Sequence, residues 1–206
     1  MTHTPILHWA TNCLTSNGYT LQSHPEIIQE TPWSSVFRLS TNRGNVYLKQ
    51  NPPTLSLEPQ IMQLLRHQLH ASVPFVIASS DELYCFLTQD AGQTLRQFLK
   101  IHFEPNLLSE AIRLFTTIQR SAENDIDSFL SLGVPDWRLN HLPKLYDQLL
   151  EQKDFLIADG MTSDEIKILR NLSSTISAQC DLLSQCQIPE TIYKAQCLSD
   201  VWNRTL

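Results

Sequence analysis

The chain has 206 residues, 42% of them hydrophobic and 17% charged, which supplies a sizeable core for one large domain or two small lobes. Only five glycines occur, about a third of the number that average usage of ~7% gives, and they spell neither a G-x-G-x-x-G dinucleotide fingerprint nor a G-x-x-x-x-G-K-[ST] P-loop. A net charge of −6 argues against broad contact with nucleic acid phosphates, and no apolar run approaches the ~18 residues needed to cross a membrane.

His3, His8 and other polar residues interrupt the first 25 positions, which do not read as a signal peptide. The expectation is a cytoplasmic protein with neither a membrane nor a nucleic acid partner. Pro5–Ser16 reads as a helix carrying Ile6, Trp9, Ala10 and Cys13 on one side and closed by Gly18. Ile27-Ile28 and a polar turn, Thr31-Pro32-Trp33-Ser34-Ser35, come next. Val36–Ser40 and Val46–Lys49 read as strands, joined by the hairpin loop Thr41-Asn42-Arg43-Gly44, which ends in its one permissive residue. Asn51-Pro52-Pro53 stops the second of these strands, because two prolines supply no ladder donors. Ser56 is a candidate N-cap for the helix that follows, and Pro59 fits its first turn. Ile61, Leu64, Leu65 and Leu69 repeat there at helical spacing, and Ser72-Val73-Pro74 closes the segment. Val76–Ala78 and Leu83–Thr88 read as strands around the turn Ser79-Ser80-Asp81-Glu82, and Gln89-Asp90-Ala91-Gly92 as a connector. The pattern predicts an antiparallel sheet of about five strands with one helix inserted after the third.

Beyond residue 92 nearly everything reads helical. Leu95–His102 is followed by Leu107–Ala122, which has Leu107, Ala111, Leu114 and Ile118 on one face. His141–Lys153 and Ile166–Gln185 come next, the latter opened by the capping box Thr162…Glu165 and striped with Ile166, Leu169, Leu172, Ile176, Cys180 and Leu183. Ile188–Ile192 looks like the approach to another strand. These readings place a β-rich domain at 1–91 and a helical domain at 92–206. Residues 1–100 balance six Lys/Arg against six Asp/Glu, whereas 101–206 set nine against fifteen. The acidic half favours cationic ligands, and an ordinary solvated surface accounts for it equally well. Cys13, Cys85, Cys180, Cys186 and Cys197 form an odd set without a C-x-x-C pair, which points to structural thiols in a reducing compartment.

Lys49 and Glu58 stand out. Lys49 ends its strand on the face opposite Val46 and Leu48. Glu58 shares a three-and-four spacing with Ile61 and Leu65, which sets its carboxylate on the apolar stripe facing the sheet. An inward carboxylate needs a cation, and Lys49 is the nearest candidate before it in the chain. A strand lysine held by a helix glutamate aims an ammonium at nucleotide phosphates in kinase-like folds. The two residues alone also fit exposed positions beside a Pro-Pro loop.

Further pieces fall in register around this pair: Trp33–Leu39 as the loop between the first two strands, Val46–Lys49, Glu58 through Leu65, Val73-Pro74, and Phe86–Leu95 as strand, hinge and start of a helical lobe. In this order they resemble the aminoglycoside phosphotransferase and choline-kinase-like family of small-molecule kinases, over about residues 20–192. The resemblance implies an α+β, protein-kinase-like fold with an N-terminal antiparallel sheet lobe, one inserted helix and a mainly helical C-terminal lobe. It implies ATP as cofactor, with Lys49 on the α- and β-phosphates and Glu58 holding it. Ser34 and Ser35 would lie in the loop over the phosphates. Thr88, Gln89, Asp90 and Ala91 would be the hinge that meets the adenine edge, with Val36, Tyr47 and Phe86 as walls of its slot. The acceptor would be a hydroxyl on a small, cationic molecule such as an aminoglycoside or choline.

The family places its catalytic carboxylate and Mg²⁺ ligands in an H-x-D-x-x-x-x-N-like segment after a strand such as Ile188–Ile192. Aligned without gaps, Lys194 replaces the His, Gln196 the Asp and Val201 the Asn, and Asp200 is out of place. No catalytic residue and no metal ligand is therefore assigned. The expectation is a kinase-like chain cut short or out of frame before its catalytic loop, with an incomplete helical lobe whose uncovered stripes favour self-association. The alternative is a catalytically inactive nucleotide- or protein-binding module. His67 with His70, and Asp136 with Trp137, are weaker candidates, for a metal and a cationic ligand respectively.

Overall fold

The computed structural model describes residues 3–187. The first helix, α1 (Thr4–Ser16), has proline in its first turn and buries Ile6, Ala10 and Leu14 at intervals of four. Those residues form the inner stripe, with Trp9 and Cys13 flanking it. Past the helix, Gly18 takes a φ of +76°, donates to the Thr15 carbonyl at 3.0 Å, and lets Tyr19 N–H return to Leu14 O at 2.9 Å. That paired closure needs a left-handed residue, which is why the helix stops at the first glycine.

Five strands follow: β1 (Glu26–Thr31), β2 (Ser34–Thr41), β3 (Gly44–Gln50), β4 (Val76–Ser80) and β5 (Cys85–Gln89). They form one sheet in the order β1-β2-β3-β5-β4, with every neighbouring pair antiparallel. Helix α2 (Glu58–His67) lies in the β3–β4 connection, so the α+β reading with one helix inserted after the third strand holds. The β2–β3 turn is tighter than the expected four-residue loop, because Thr41 and Gly44 are themselves paired and only Asn42 and Arg43 turn. Thr41 Oγ1 closes it by donating to Gly44 O at 2.6 Å and accepting from Arg43 N–H at 3.2 Å. Ser56 is not the cap of α2. It follows a short 3₁₀ turn, Pro53–Leu55, and Leu57 occupies the N-cap position without a side-chain bond.

The pleat sorts the sheet into two faces. Phe37, Leu39, Val46, Leu48, Cys85 and Leu87 pack with α1 in one buried cluster. Opposite pairs Val36↔Lys49 and Arg38↔Tyr47, together with Lys49↔Phe86 and Tyr47↔Thr88, put these six residues on the other face. Helices α3 (Leu95–Ile101), α4 (Pro105–Ala122) and α5 (Ile126–Ser131) complete this unit. Thr94 caps α3 by accepting from Gln97 N–H at 3.2 Å.

Residues 133–187 form a separate compact unit built from α6 (Leu142–Glu151), α7 (Lys153–Ala158), α8 (Ser163–Asn171) and α9 (Ser173–Ser184). Its core is Leu150, Leu156 and Ile166, with Tyr146, Met161 and Leu169 packed around them. The helix expected at Ile166–Gln185 is broken into α8 and α9, the one expected at His141–Lys153 ends at Glu151, and α7 is a further helix that the periodicity does not register. Arg170 Nη2 donates to Leu150 O at 2.9 Å and caps the end of α6. Tyr146 Oη donates to Leu169 O at 2.7 Å, and Ser173 Oγ donates to Asp147 at 2.7 Å, which together mark the α8–α9 break. The Thr162 capping box is present as expected. Among the described residues no helix is long and apolar enough to cross a membrane.

Candidate functional site

Strand β3 carries Lys49 one residue before its end. Asn51-Pro52-Pro53 then leaves the sheet, and the 3₁₀ turn brings the chain round so that α2 begins at Glu58. Proline fixes the backbone of this turn at low entropic cost. The carboxylate and the ammonium meet at 2.9 Å from Nζ to Oε2 and 3.0 Å to Oε1. Their side chains are 12% and 6% exposed, so this is a buried ion pair. The first-turn position sets the carboxylate against the positive end of the helix dipole, which favours its charge.

Asn51 completes the arrangement. Its Nδ2 donates to Glu58 Oε2 at 2.8 Å and to Leu55 O at 3.1 Å, and its backbone N–H donates to Tyr84 O at 2.9 Å. The side chain is buried. The sequence marks this residue only as part of a strand terminator. The available signal was a short amide followed by two prolines, a place where a turn side chain bonds nearby backbone.

The other expected site residues are placed as follows. Ser34 and Ser35 do not lie in a loop. They are the first two residues of β2, and the turn consists of Pro32 and Trp33 alone. Thr31 causes the shortening, because its Oγ1 accepts Ser34 N–H at 3.0 Å and donates to Ser34 O at 3.1 Å. Ser35 is paired with Glu30 on one side and Gln50 on the other. Thr88 is buried in β5 opposite Tyr47. Gln89 ends that strand, with its N–H donating to Phe75 O at 3.0 Å. Asp90 folds back to accept Gly92 N–H at 2.9 Å, and Ala91 lies between them. Val36 and Phe86 flank Lys49 but are as buried as core residues. Arg38, on the same face, is held by Glu26 at 2.5 Å across β1 and β2.

No family model matches the chain, and no curated protein matches it. An ammonium fixed by a carboxylate on a sheet face is a positioned point charge, suited to an anionic oxygen.

The weaker candidates form no such site. Among the described residues no group of three or more His, Cys, Asp or Glu is arranged to hold a metal. His70 lies past the end of α2, at φ +51°. In the second unit Asp136 is engaged by Arg138 at 2.6 Å, with His141 3.3 Å away. The Arg138 hydrogen bonds pull the Asp136 carboxyl down to about 2, which spends the charge that a cationic ligand would need. Burial pushes the Cys85 thiol up to about 12 and raises that of Cys13, consistent with structural thiols. Lys194, Gln196, Asp200 and Val201, and the strand expected at 188–192, lie outside the described residues.

Proposed function

We propose that the β-rich part of the chain, up to residue 91, is the nucleotide-binding lobe of a protein-kinase-like small-molecule phosphotransferase of the aminoglycoside phosphotransferase and choline-kinase-like type. In this reading the ammonium of Lys49, held by Glu58, contacts the phosphates of ATP. The observation that carries it is the buried Lys49–Glu58 pair. It joins the third strand to the helix inserted before the fourth, in a sheet ordered β1-β2-β3-β5-β4. That combination is what the sequence resemblance requires of a phosphate-binding lysine.

The two-residue Pro32-Trp33 turn supports a narrower reading of the site. Ser34 N–H is already bonded to Thr31, which leaves Lys49 as the main phosphate contact in the proposal. Val36 and Phe86 are packed on either side of it, so affinity rests on the phosphates more than on a slot for the base. When bound, Mg²⁺ would neutralise phosphate charge. Its family ligands belong to the segment aligned with Lys194, Gln196 and Val201, where this sequence offers no matching carboxylate.

The inherited reaction forms a bond from an acceptor oxygen to the γ-phosphorus, breaks the bond to ADP, and moves the acceptor proton to a base. The aligned position holds Gln196, whose amide takes no proton, so the proposal for this chain is binding without turnover. Calorimetry of the purified chain with ATP and with tripolyphosphate, each with and without Mg²⁺, tests it. Binding that Lys49→Ala abolishes without loss of fold is the expected result. No binding of either compound by folded wild-type protein would refute the reading. ADP production in the presence of an acceptor would refute the absence of turnover.

A further inference from the structure

A buried ion pair positions a charge only if something positions the pair, and here that is a third side chain. We propose that Asn51 is a positioning residue: it fixes the Glu58 carboxylate, and through it the Lys49 ammonium, so that the cationic site is assembled before any ligand arrives.

A primary amide has two N–H donors, and both of those on Asn51 meet acceptors, Glu58 Oε2 at 2.8 Å and Leu55 O at 3.1 Å. Leu55 ends the 3₁₀ turn and Glu58 opens α2. The backbone N–H of Asn51 binds Tyr84 O at 2.9 Å in the turn between β4 and β5, and Tyr84 is itself held at φ +49°. One buried residue thus ties the end of β3 to three separate pieces of backbone or side chain. A hydroxyl offers one donor, a carboxylate none and an aliphatic group none. Only an amide at this reach serves both acceptors.

The consequence concerns regulation. In kinase-like switches the helix that bears the glutamate moves, and the lysine pair makes and breaks with it. Here the carboxylate is anchored from the strand side by a residue two positions after Lys49 itself. Carboxylate and ammonium therefore share one rigid frame, and α2 cannot swing outward without breaking the bonds from both Lys49 and Asn51 to Glu58. The site is fixed rather than switched. That the fixed ammonium serves a nucleotide phosphate rests on the function proposed above; the positioning itself does not.

The test uses the full chain and two variants. Asn51→Leu keeps the approximate volume and removes both donors. The double exchange N51D/E58Q moves the carboxylate from the helix to the strand and the amide from the strand to the helix, restoring one negative charge beside Lys49 and one amide donor to it. It does not restore the bond to Leu55 O. Acetylation of lysines, followed by peptide mass spectrometry, reads the accessibility of Lys49 against Lys144 and Lys167 in the same molecule. Asn51→Leu is expected to acetylate at Lys49 about ten times faster than wild type, with the other two unchanged, as for the loss of an interaction to a charged group. N51D/E58Q is expected to return within about threefold of wild type. A purely structural role, tying the 3₁₀ turn through Leu55, leaves the double variant as loose as Asn51→Leu, and that result overturns the proposal. So does a folded Asn51→Leu with wild-type protection of Lys49. If Asn51→Leu does not fold, the double variant decides alone: folded with Lys49 protected supports positioning, and unfolded or unprotected overturns it. Tripolyphosphate affinity measured on the same proteins separates the two readings. Wild-type protein that binds none refutes the nucleotide function, while the acetylation order still decides the role of Asn51.

Discussion

Replacing Lys49 by Met leaves the Glu58 carboxylate, 6% exposed, without its cation. The short side chain cannot reach water from the first turn of α2, so the change falls in the range for stranding a buried charge, about 3–5 kcal/mol. Glu58→Leu takes the carboxylate from the ammonium instead, but a lysine stem can carry its charge toward solvent, and the loss drops to about 1–3 kcal/mol. The double variant Lys49→Met with Glu58→Leu removes both charges and keeps the volume. It should lie within ~1 kcal/mol of wild type, the remainder reflecting the Asn51 donor left without its acceptor. The coupling energy from the cycle is then at least ~3 kcal/mol. Because the chain has two compact units, hydrogen exchange resolved on β3 and β5 peptides is the appropriate assay, with each tenfold acceleration worth ~1.4 kcal/mol. Lys49→Met should exchange at least a hundredfold faster there, and the double variant should recover most of that. Additive single and double changes would show that the two side chains do not act as a unit, and the reasoning would fail.

Three further outcomes follow from the local chemistry. The Asp136 carboxyl is held at about 2, below its ordinary 3.8, chiefly by Arg138 hydrogen bonds, so its contribution to folding is complete above about 4 and fades as pH falls towards 2; a carbon-13 titration should place its midpoint near 2, and Arg138→Ala should move it back towards 3.8. Thr162→Ala removes the capping box at the start of α8 and should destabilise the second unit by about 1 kcal/mol, with faster exchange in α8 and recovery in Thr162→Ser; unchanged exchange would contradict the assignment. Iodoacetamide at mild alkaline pH should label exposed Cys186 and spare Cys85, whose buried thiol is pushed up to about 12; equal labelling of folded protein would refute that burial.

The sheet was readable from the sequence because its signals are local. Alternation in Val46–Lys49, the Gly44 turn and the Pro-Pro stop lie within a few residues of the structure they specify. The Lys49–Glu58 pairing is readable for a related reason: burial on an apolar stripe limits a carboxylate to few partners, and the nearest cation before it in the chain is nine residues away, at the end of the adjoining strand. The end of α6 at Glu151 and the break between α8 and α9 are hidden, since they coincide with bonds from Arg170 and Tyr146, twenty and twenty-three residues from their acceptors. The role of Asn51 is hidden because its side-chain partners depend on a 3₁₀ turn that periodicity does not register. The family resemblance implies a loop at Ser34 and Ser35, whereas Thr31 shortens the turn with its own hydroxyl.

The position of β5 constrains the order in which the first unit can be completed. Among the described residues it is the last strand in sequence, yet it lies inside the sheet, between β3 and β4. Until Cys85–Gln89 has been synthesised, β4 has no neighbour, and α1 lacks Cys85 and Leu87, two members of the cluster it buries. The N-terminal helix must therefore wait for about seventy residues of chain before its apolar stripe is fully covered. Closing this unit is a late, long-range event, and ribosome-bound chains that stop before residue 89 should present an unfinished sheet to chaperones.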